Sequence, residues 1–417
     1  MKPTGLALLL SCSLRAFAYS PQRPLSTITG SIDQGHHGDR APAYRGSLLA
    51  LHKSLVEISS ITSNETTVGH WLADYLEDRG FSTYLQYIPS ADDVNKGPKP
   101  RFNVIAKPWP KHQSSIESPK VIVSSHIDTV PPFIPYSRSD DHPNSDTVIA
   151  GRGTVDAKAS VAAQITAVIE LLNSESISAD NVVLVYVVGE ERSGDGMKYF
   201  SKSLLPLDPP PNIKAAVFGE PTEGKLACGH KGITSCTVKA HGKAGHSGYP
   251  WLGKSATETL MRGLVKVLDT DLGSSDEFGN TTVNVGLLEG GVAPNVIPET
   301  AEATMAVRVA IGPEGEGGKI VGQRIRDVLK GVDEEAFDVD CVGGYGVVKC
   351  ECEVDGFENI TVNYGTDVPN LDGNHTRYLY GPGTILVAHG ADEAITVSDL
   401  ETGVEDFKKL ILHALKK

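Results

Sequence analysis

The hydrophobic pattern changes character twice along the chain. Val182 to Val188 is an unbroken apolar run, mostly β-branched. Such a run reads as a strand buried on both faces of a parallel sheet. Shorter runs at Lys120 to Ser124, Ala215 to Phe218 and Thr384 to Ala388 read as strands of the same kind. Between them the period lengthens. Thr67 to Glu77 has helical spacing with Gly80 as its stop, Ala157 to Leu172 is a helix of small residues, and Asp399 to Leu415 is an amphipathic closing helix. The middle of the chain alternates instead. Ile233 to Ala240, Thr282 to Leu288, Ala301 to Val309 and Phe337 to Val342 are strand-like, while Ser255 to Leu268 and Ile320 to Leu329 have helical period. The order β-α-β-β-α-β is ferredoxin-like. The expectation is an α/β domain with a mainly parallel sheet over 46–229 and 344–417, interrupted by an α+β insert over 230–343. No internal repeat is visible.

The N-terminus adds a destination. Lys2, the apolar run Leu6 to Leu10 and the small-residue pattern Ala16-Phe17-Ala18 predict a signal peptide over 1–18. Residues 19–45 are rich in Pro, Ser, Gly and His and read as a flexible arm; His36-His37 there reads as solvated tail. Four Asn-x-Ser/Thr sequons, at Asn64, Asn280, Asn359 and Asn374, agree with a secreted, extracellular glycoprotein. Cys12 would leave with the signal; Cys228, Cys236, Cys341, Cys350 and Cys352 remain as disulfide candidates. Five is odd, so one thiol is expected free or paired outside the chain. The formal net charge of -14 argues against nucleic acid and anionic membrane surfaces as partners. No segment is long and apolar enough to read as a membrane span.

The chemistry sits where strands end. His126 follows one strand, Glu190 and Glu191 another, Glu220 a third and His389 a fourth, and Asp156 stands in a loop just before a helix. In open α/β sheets ligands bind at that edge. One such Glu or His alone would read as a solvated turn residue; the set together reads as a site. Two imidazoles and three carboxylates without thiolate suit zinc first, with cobalt or manganese as alternatives. Five ligands serve two metals if one carboxylate bridges. Neighbouring side chains diverge, so of Glu190 and Glu191 one can bind metal while the other moves a proton. Asp128, two residues after His126, suits orientation of the imidazole.

These residues resemble a known family. His126-Ile127-Asp128-Thr129-Val130-Pro131, Gly151 to Lys158, Gly189-Glu190-Glu191, Gly219-Glu220-Pro221-Thr222 and Gly381-Pro382-Gly383 leading to Ala388-His389 are similar to the motifs of M20 metallopeptidases, in family order over about Val121 to Glu393. That family includes glutamate carboxypeptidase, acetylornithine deacetylase, succinyl-diaminopimelate desuccinylase and aminoacylase. The resemblance implies a zinc-peptidase catalytic domain whose insert is a lid and dimerisation domain. It implies Asp156 as bridging ligand, His126 and Glu220 on one zinc, Glu191 and His389 on the other, Glu190 as general acid/base and Asp128 behind His126. Gly242 to Gly248 resembles the family's lid segment, in which His246 would stabilise the oxyanion, often across a homodimer. Asn295 and Arg308 would contact the substrate carboxylate; the plainer readings are a turn for Asn295 and a pairing with Glu302 or a neighbour for Arg308. One departure stands after Asp156, where the family's Met-Lys-Gly-Gly is Ala157-Lys158-Ala159-Ser160.

The expected activity is a secreted metallo-carboxypeptidase cleaving a peptide bond beside a terminal carboxylate. The alternative is an N-acyl-amino-acid amidohydrolase with identical chemistry. A non-catalytic binding protein ranks last, because every ligand and the base are present.

Overall fold

The computed structural model describes residues 41–89, 100–108, 120–207 and 211–416. The signal peptide over 1–18, and the arm as far as residue 40, lie outside the described residues. The arm's last residue is a correction. Arg45 opens helix α1, Arg45–Glu57, and its buried guanidinium pairs with Glu401 of the last helix. An ion pair far along the chain, invisible to local composition, carries order back to this point.

Six further helices follow: α2 Thr66–Glu77, α3 Lys158–Asn173, α4 Asp195–Leu204, α5 Ala256–Leu268, α6 Gly317–Val332 and α7 Val397–Lys416. The main sheet has nine strands. Its centre runs Val182–Val187, Val121–His126, Ala215–Gly219, Thr376–Tyr380, all parallel. Phe102–Pro108 and then Phe81–Tyr87 extend one side antiparallel; Leu226–His230, Val348–Lys349 and Asn359–Val362 extend the other. Every residue of Val182–Val187 is buried, as a strand covered on both faces requires. Helix α3 packs close to the sheet at Gly219, where a Cβ would strike Ser160 and Gln164. The replacement of the family's Gly-Gly by Ala159-Ser160 keeps helix entry intact.

The insert has the expected ferredoxin-like topology. Its antiparallel sheet runs Thr282–Gly290, Thr300–Val309, Gly232–His241, Phe337–Tyr345. Helices α5 and α6 cover one face, and Val238, Leu260, Leu264, Met305, Ile325 and Leu329 form part of a separate core there. Ser255 caps α5 by accepting the N–H of Glu258. The cysteines resolve as Cys228–Cys352 and Cys236–Cys341, with Cys350 free. The odd count is thus accounted for within the described residues.

Candidate metal centre

Strand ends deliver most of the cluster. Val121–His126 terminates on His126; Ala215–Gly219 is followed directly by Glu220; Val182–Val187 runs through Val188 and Gly189 into Glu190 and Glu191. Gly189 has φ +77°, and a Cβ there would strike Asp195 and Arg101, so the turn needs glycine. His389 arrives differently, which corrects the strand-end expectation. The strand is Thr376–Tyr380, and Thr384–Ala388 is a turn with Leu386 83% exposed. An apolar stretch there imitates a strand, whereas the real strand is disguised by Thr376 and Arg377. His389 ends that turn with φ +63°, left-handed backbone that a non-glycine residue adopts only when its surroundings impose it.

Asp156 lies between the two imidazoles. Its Oδ1 is 3.0 Å from Nε2 of His126, and its Oδ2 is 3.2 Å from Nε2 of His389. Glu220 stands 3.8 Å from the same nitrogen of His126, and Glu191 3.0 Å from that of His389. Donor atoms of His126, Glu190 and Glu220 fall within 4.8 Å of one another, as do those of His126, Asp156 and Glu191. His126, Asp156, Glu220 and Asp128 are buried; the side chain of His389 is half-exposed and marks the open side.

Asp128 sits beneath as a hub. His126 Nδ1 donates to the Asp128 carbonyl oxygen at 2.9 Å, with the carboxylate itself at 3.5 Å. With Nδ1 held as a donor, Nε2 is the nitrogen that faces Asp156 and Glu220 and would offer its lone pair to a metal. The Asp128 carboxylate meanwhile accepts the backbone N–H of Glu190 at 3.2 Å and of Glu191 at 3.3 Å, and the hydroxyl of Thr62 at 2.8 Å. One residue thus orients both an imidazole and the Glu-Glu backbone.

The electrostatics call for a cation. Four carboxylates converge without a lysine or arginine among them, and Glu191 Oε1 is buried with no hydrogen-bond partner among the described residues. Burial, then the neighbouring charge of Glu220, pushes Glu190 well above the usual carboxylate range; burial does the same to Glu220, and to Glu191 in lesser degree. Burial works against a charged His126, but Glu220, Asp128 and Asp156 outweigh it and raise its pKa well above the ordinary imidazole value. Bonds to Asp156 and Glu191 hold His389 up at about 10. The imidazoles take protons where a divalent ion would neutralise the same oxygens, so the donor set fits hard or borderline divalent metal.

His246 and Asn295 lie apart from this floor. Both are exposed and meet each other through Ser247, whose N–H donates to the Asn295 carbonyl at 3.1 Å. Neither side chain has a hydrogen bond or ion pair to the cluster among the described residues. Gly248 N–H donates to His246 Nδ1 at 3.0 Å, which leaves Nε2 of the neutral ring as a hydrogen-bond donor. Arg308 is half-buried on Thr300–Val309 and pairs with no carboxylate among the described residues, so the plainer reading through Glu302 fails. Its guanidinium points toward Gly365, with Nη1 3.7 Å from where a Cβ on that glycine would stand.

One buried acid was not foreseen. Asp367 is 5% exposed, accepts from Asn370 Nδ2 at 2.7 Å and leaves Oδ2 without a partner. Burial lifts it to about 6, and its charge adds to the field at Glu190 and Glu220. Gly365-Thr366-Asp367 lies in a loop with no distinguishing pattern, so no sequence signal marked it.

Comparison with known proteins follows this geometry. A family model described as the peptidase dimerisation domain matches residues 228–335. An M20 domain-containing peptidase of Sordaria macrospora is 52% identical over 413 residues, covering 94% of this chain and 90% of that one. The chain belongs to the M20 peptidase family. A probable carboxypeptidase of Aspergillus fumigatus is 44% identical over 449 residues, 100% of this chain and 99% of its own. Among solved structures, a Staphylococcus aureus tripeptidase matches this M20 peptidase with TM-score 0.71 at 22% identity, over 89% of this chain and 99% of that one. An M20 metallo-carboxypeptidase from Sulfolobus solfataricus matches with TM-score 0.67 at 15% identity, over 89% and 99%. The expected fold, a catalytic α/β domain with a dimerisation insert, is borne out, and so is the reading of the chain as an M20-type metallo-carboxypeptidase.

Proposed function

We propose that this M20 peptidase is a secreted, two-zinc carboxypeptidase that hydrolyses the amide bond next to a terminal carboxylate. The observation that carries the reading is Asp156, set between His126 and His389 at 3.0 and 3.2 Å with Glu190 beside the cluster. His126, Asp156 and Glu220 would hold one ion, and Asp156, Glu191 and His389 the other. When bound, two such ions polarise the scissile carbonyl and acidify a water. Glu190, whose pKa burial raises, takes the proton of the attacking water and passes it to the nitrogen of the leaving amine. His246 donates Nε2–H to the developing oxyanion. Arg308, which meets no carboxylate among the described residues, pairs with the terminal carboxylate, and Asn295 is a further substrate contact.

Secretion is supported by the N-terminal pattern and by the exposure of Asn64, Asn280, Asn359 and Asn374. No described helix is long and apolar enough to cross a membrane. A homodimer through the insert is supported by its match to the dimerisation domain and by its surface. Met261, Val265 and Leu268 form an exposed stripe on α5, and Leu287 and Leu288 stand exposed on the sheet's edge strand.

The test is a panel of C-terminal peptides and N-acetyl amino acids, assayed with zinc or cobalt added and then chelated. Peptides with a free C-terminus should be cleaved and chelation should abolish turnover. Activity that survives full chelation overturns the mechanism, and turnover of N-acetyl amino acids alone replaces the carboxypeptidase with an amidohydrolase.

A further inference from the structure

Outside the cluster, a fully satisfied buried charge is Glu393, four residues past His389 and 1% exposed. Its Oε1 accepts three backbone N–H groups, from Gly153 at 2.9 Å, Val155 at 3.0 Å and Asp156 at 3.2 Å. Its Oε2 accepts Nη1 of Arg152 at 2.6 Å. Arg152 is equally buried, and its other groups reach further: Nη2 donates to the carbonyl of His389 at 3.1 Å and Nε to that of Pro132 at 3.3 Å. The backbone of Glu393 closes the same joint by accepting the N–H of Gly151 at 3.1 Å.

The pair therefore fastens three segments together. One carries His126 and runs on to Pro132, one carries Asp156, and one carries His389. No bond of the pair reaches the cluster's own donor atoms; apart from the ion pair between the two side chains, every bond holds backbone. A buried carboxylate is tolerated only when its acceptor positions are filled, and here donors from the Asp156 loop and from Arg152 fill them. The carbonyl that Arg152 grips belongs to the residue with φ +63°, a conformation that needs outside restraint.

We infer that Glu393 and Arg152 are a positioning pair that sets the Asp156–His389 separation and so the second metal position. The inference rests on the two-metal reading above. The pair touches neither substrate nor reacting atoms, so it acts through the ligands it holds.

Cobalt(II) is the probe, titrated against a competing chelator into the full-length protein and followed by its visible absorption. The native protein should bind two ions; failure at this step removes the two-metal reading itself, and the inference with it. In Glu393→Gln one of the two ions should bind about 10- to 100-fold more weakly, with an altered spectrum. Its kcat should fall while KM stays near native, since substrate contacts are untouched. Glu393→Gln also strands the Arg152 charge and lowers stability, so Arg152→Met/Glu393→Gln provides the control. Removing both partners should recover the melting temperature but leave the weakened ion weak. Should the single variant not fold, the double variant decides alone. Native cobalt affinity and spectrum in either folded variant overturns the inference. So does recovery of affinity together with melting temperature in the double variant, which would reduce the pair to a stability role.

Discussion

The floor of the site and the tip of the insert are built on opposite terms. On the floor, His126, Asp128, Asp156 and Glu220 are buried, and hydrogen bonds tie side chain to backbone at every turn. At the tip, His246 and Asn295 are exposed, while Arg308, at the other end of its strand beside Ile233 and Gly365, is half-buried and pairs with no carboxylate among the described residues. The floor is organised before any substrate arrives. The tip has groups of the right kind held only by local bonds, such as Gly248 N–H on His246. This division suits a hydrolase in which metal and base must be fixed to ångström tolerance, while the groups that read the substrate close over it later.

Four measurements press on that comparison. The largest effect should come from the floor. Glu190→Gln should lower kcat roughly a thousandfold while bound cobalt stays at the native level; full activity in a metal-loaded variant would remove Glu190 from proton transfer. His246→Ala probes whether the tip joins the floor's chemistry, with an expected loss of about a hundredfold in kcat. A surface histidine with no such role would leave kcat untouched. Arg308→Met should raise KM by about tenfold to a hundredfold, with little change in kcat, and only for substrates with a free terminal carboxylate. Equal losses on a C-terminally amidated substrate would show that Arg308 reads something else.

The smallest effect concerns charge on the floor without metal. Burial first, then mutual repulsion, raises Glu190 and Glu220 well above their ordinary 4.5 and raises Glu191 as well. A carboxyl with a raised folded pKa stabilises the fold fully below its unfolded value and loses that contribution as pH climbs through the folded one. His389, held at about 10, acts with the same sign: its contribution is complete below 6.5 and disappears as pH rises through about 10. Asp156 is lowered and works oppositely, but its gain is complete just above its ordinary 3.8. Buried His52, His230 and His375, each lowered to about 4, slope the other way between pH 5 and 6.5, so the cluster is read from the zinc-induced gain in melting temperature, which should be larger at pH 8 than at pH 5. A gain no larger at pH 8 contradicts the charge assignment.

Much of the floor was legible because burial on both faces leaves an unmistakable apolar run. Val182 to Val188 announced its strand, and Glu190 and Glu191 fell where the sheet edge demanded. His389 reaches the cluster from a turn and not from a strand end, since Thr384 to Ala388 is apolar yet forms a turn with Leu386 exposed. Phe81–Tyr87, Phe102–Pro108 and Leu226–His230 went unassigned: they flank the parallel centre, and Ser, Thr, Gln and Lys in the first two dilute their apolar signal. The Glu393–Arg152 joint spans 241 residues, and no local pattern encodes such a contact. Asp367 was hidden for the same reason, since its burial depends on packing against distant segments.

The Cys228–Cys352 bridge joins the strand that leads into the insert to the segment that leads out of it. In covalent terms the insert is a closed ring, with Cys236–Cys341 as a second closure inside the first. A protease that nicks any exposed loop between those two cysteines, such as the one around Val292, frees nothing. Both pieces stay joined through the bridge, so a single cut there separates them only when a reductant acts as well.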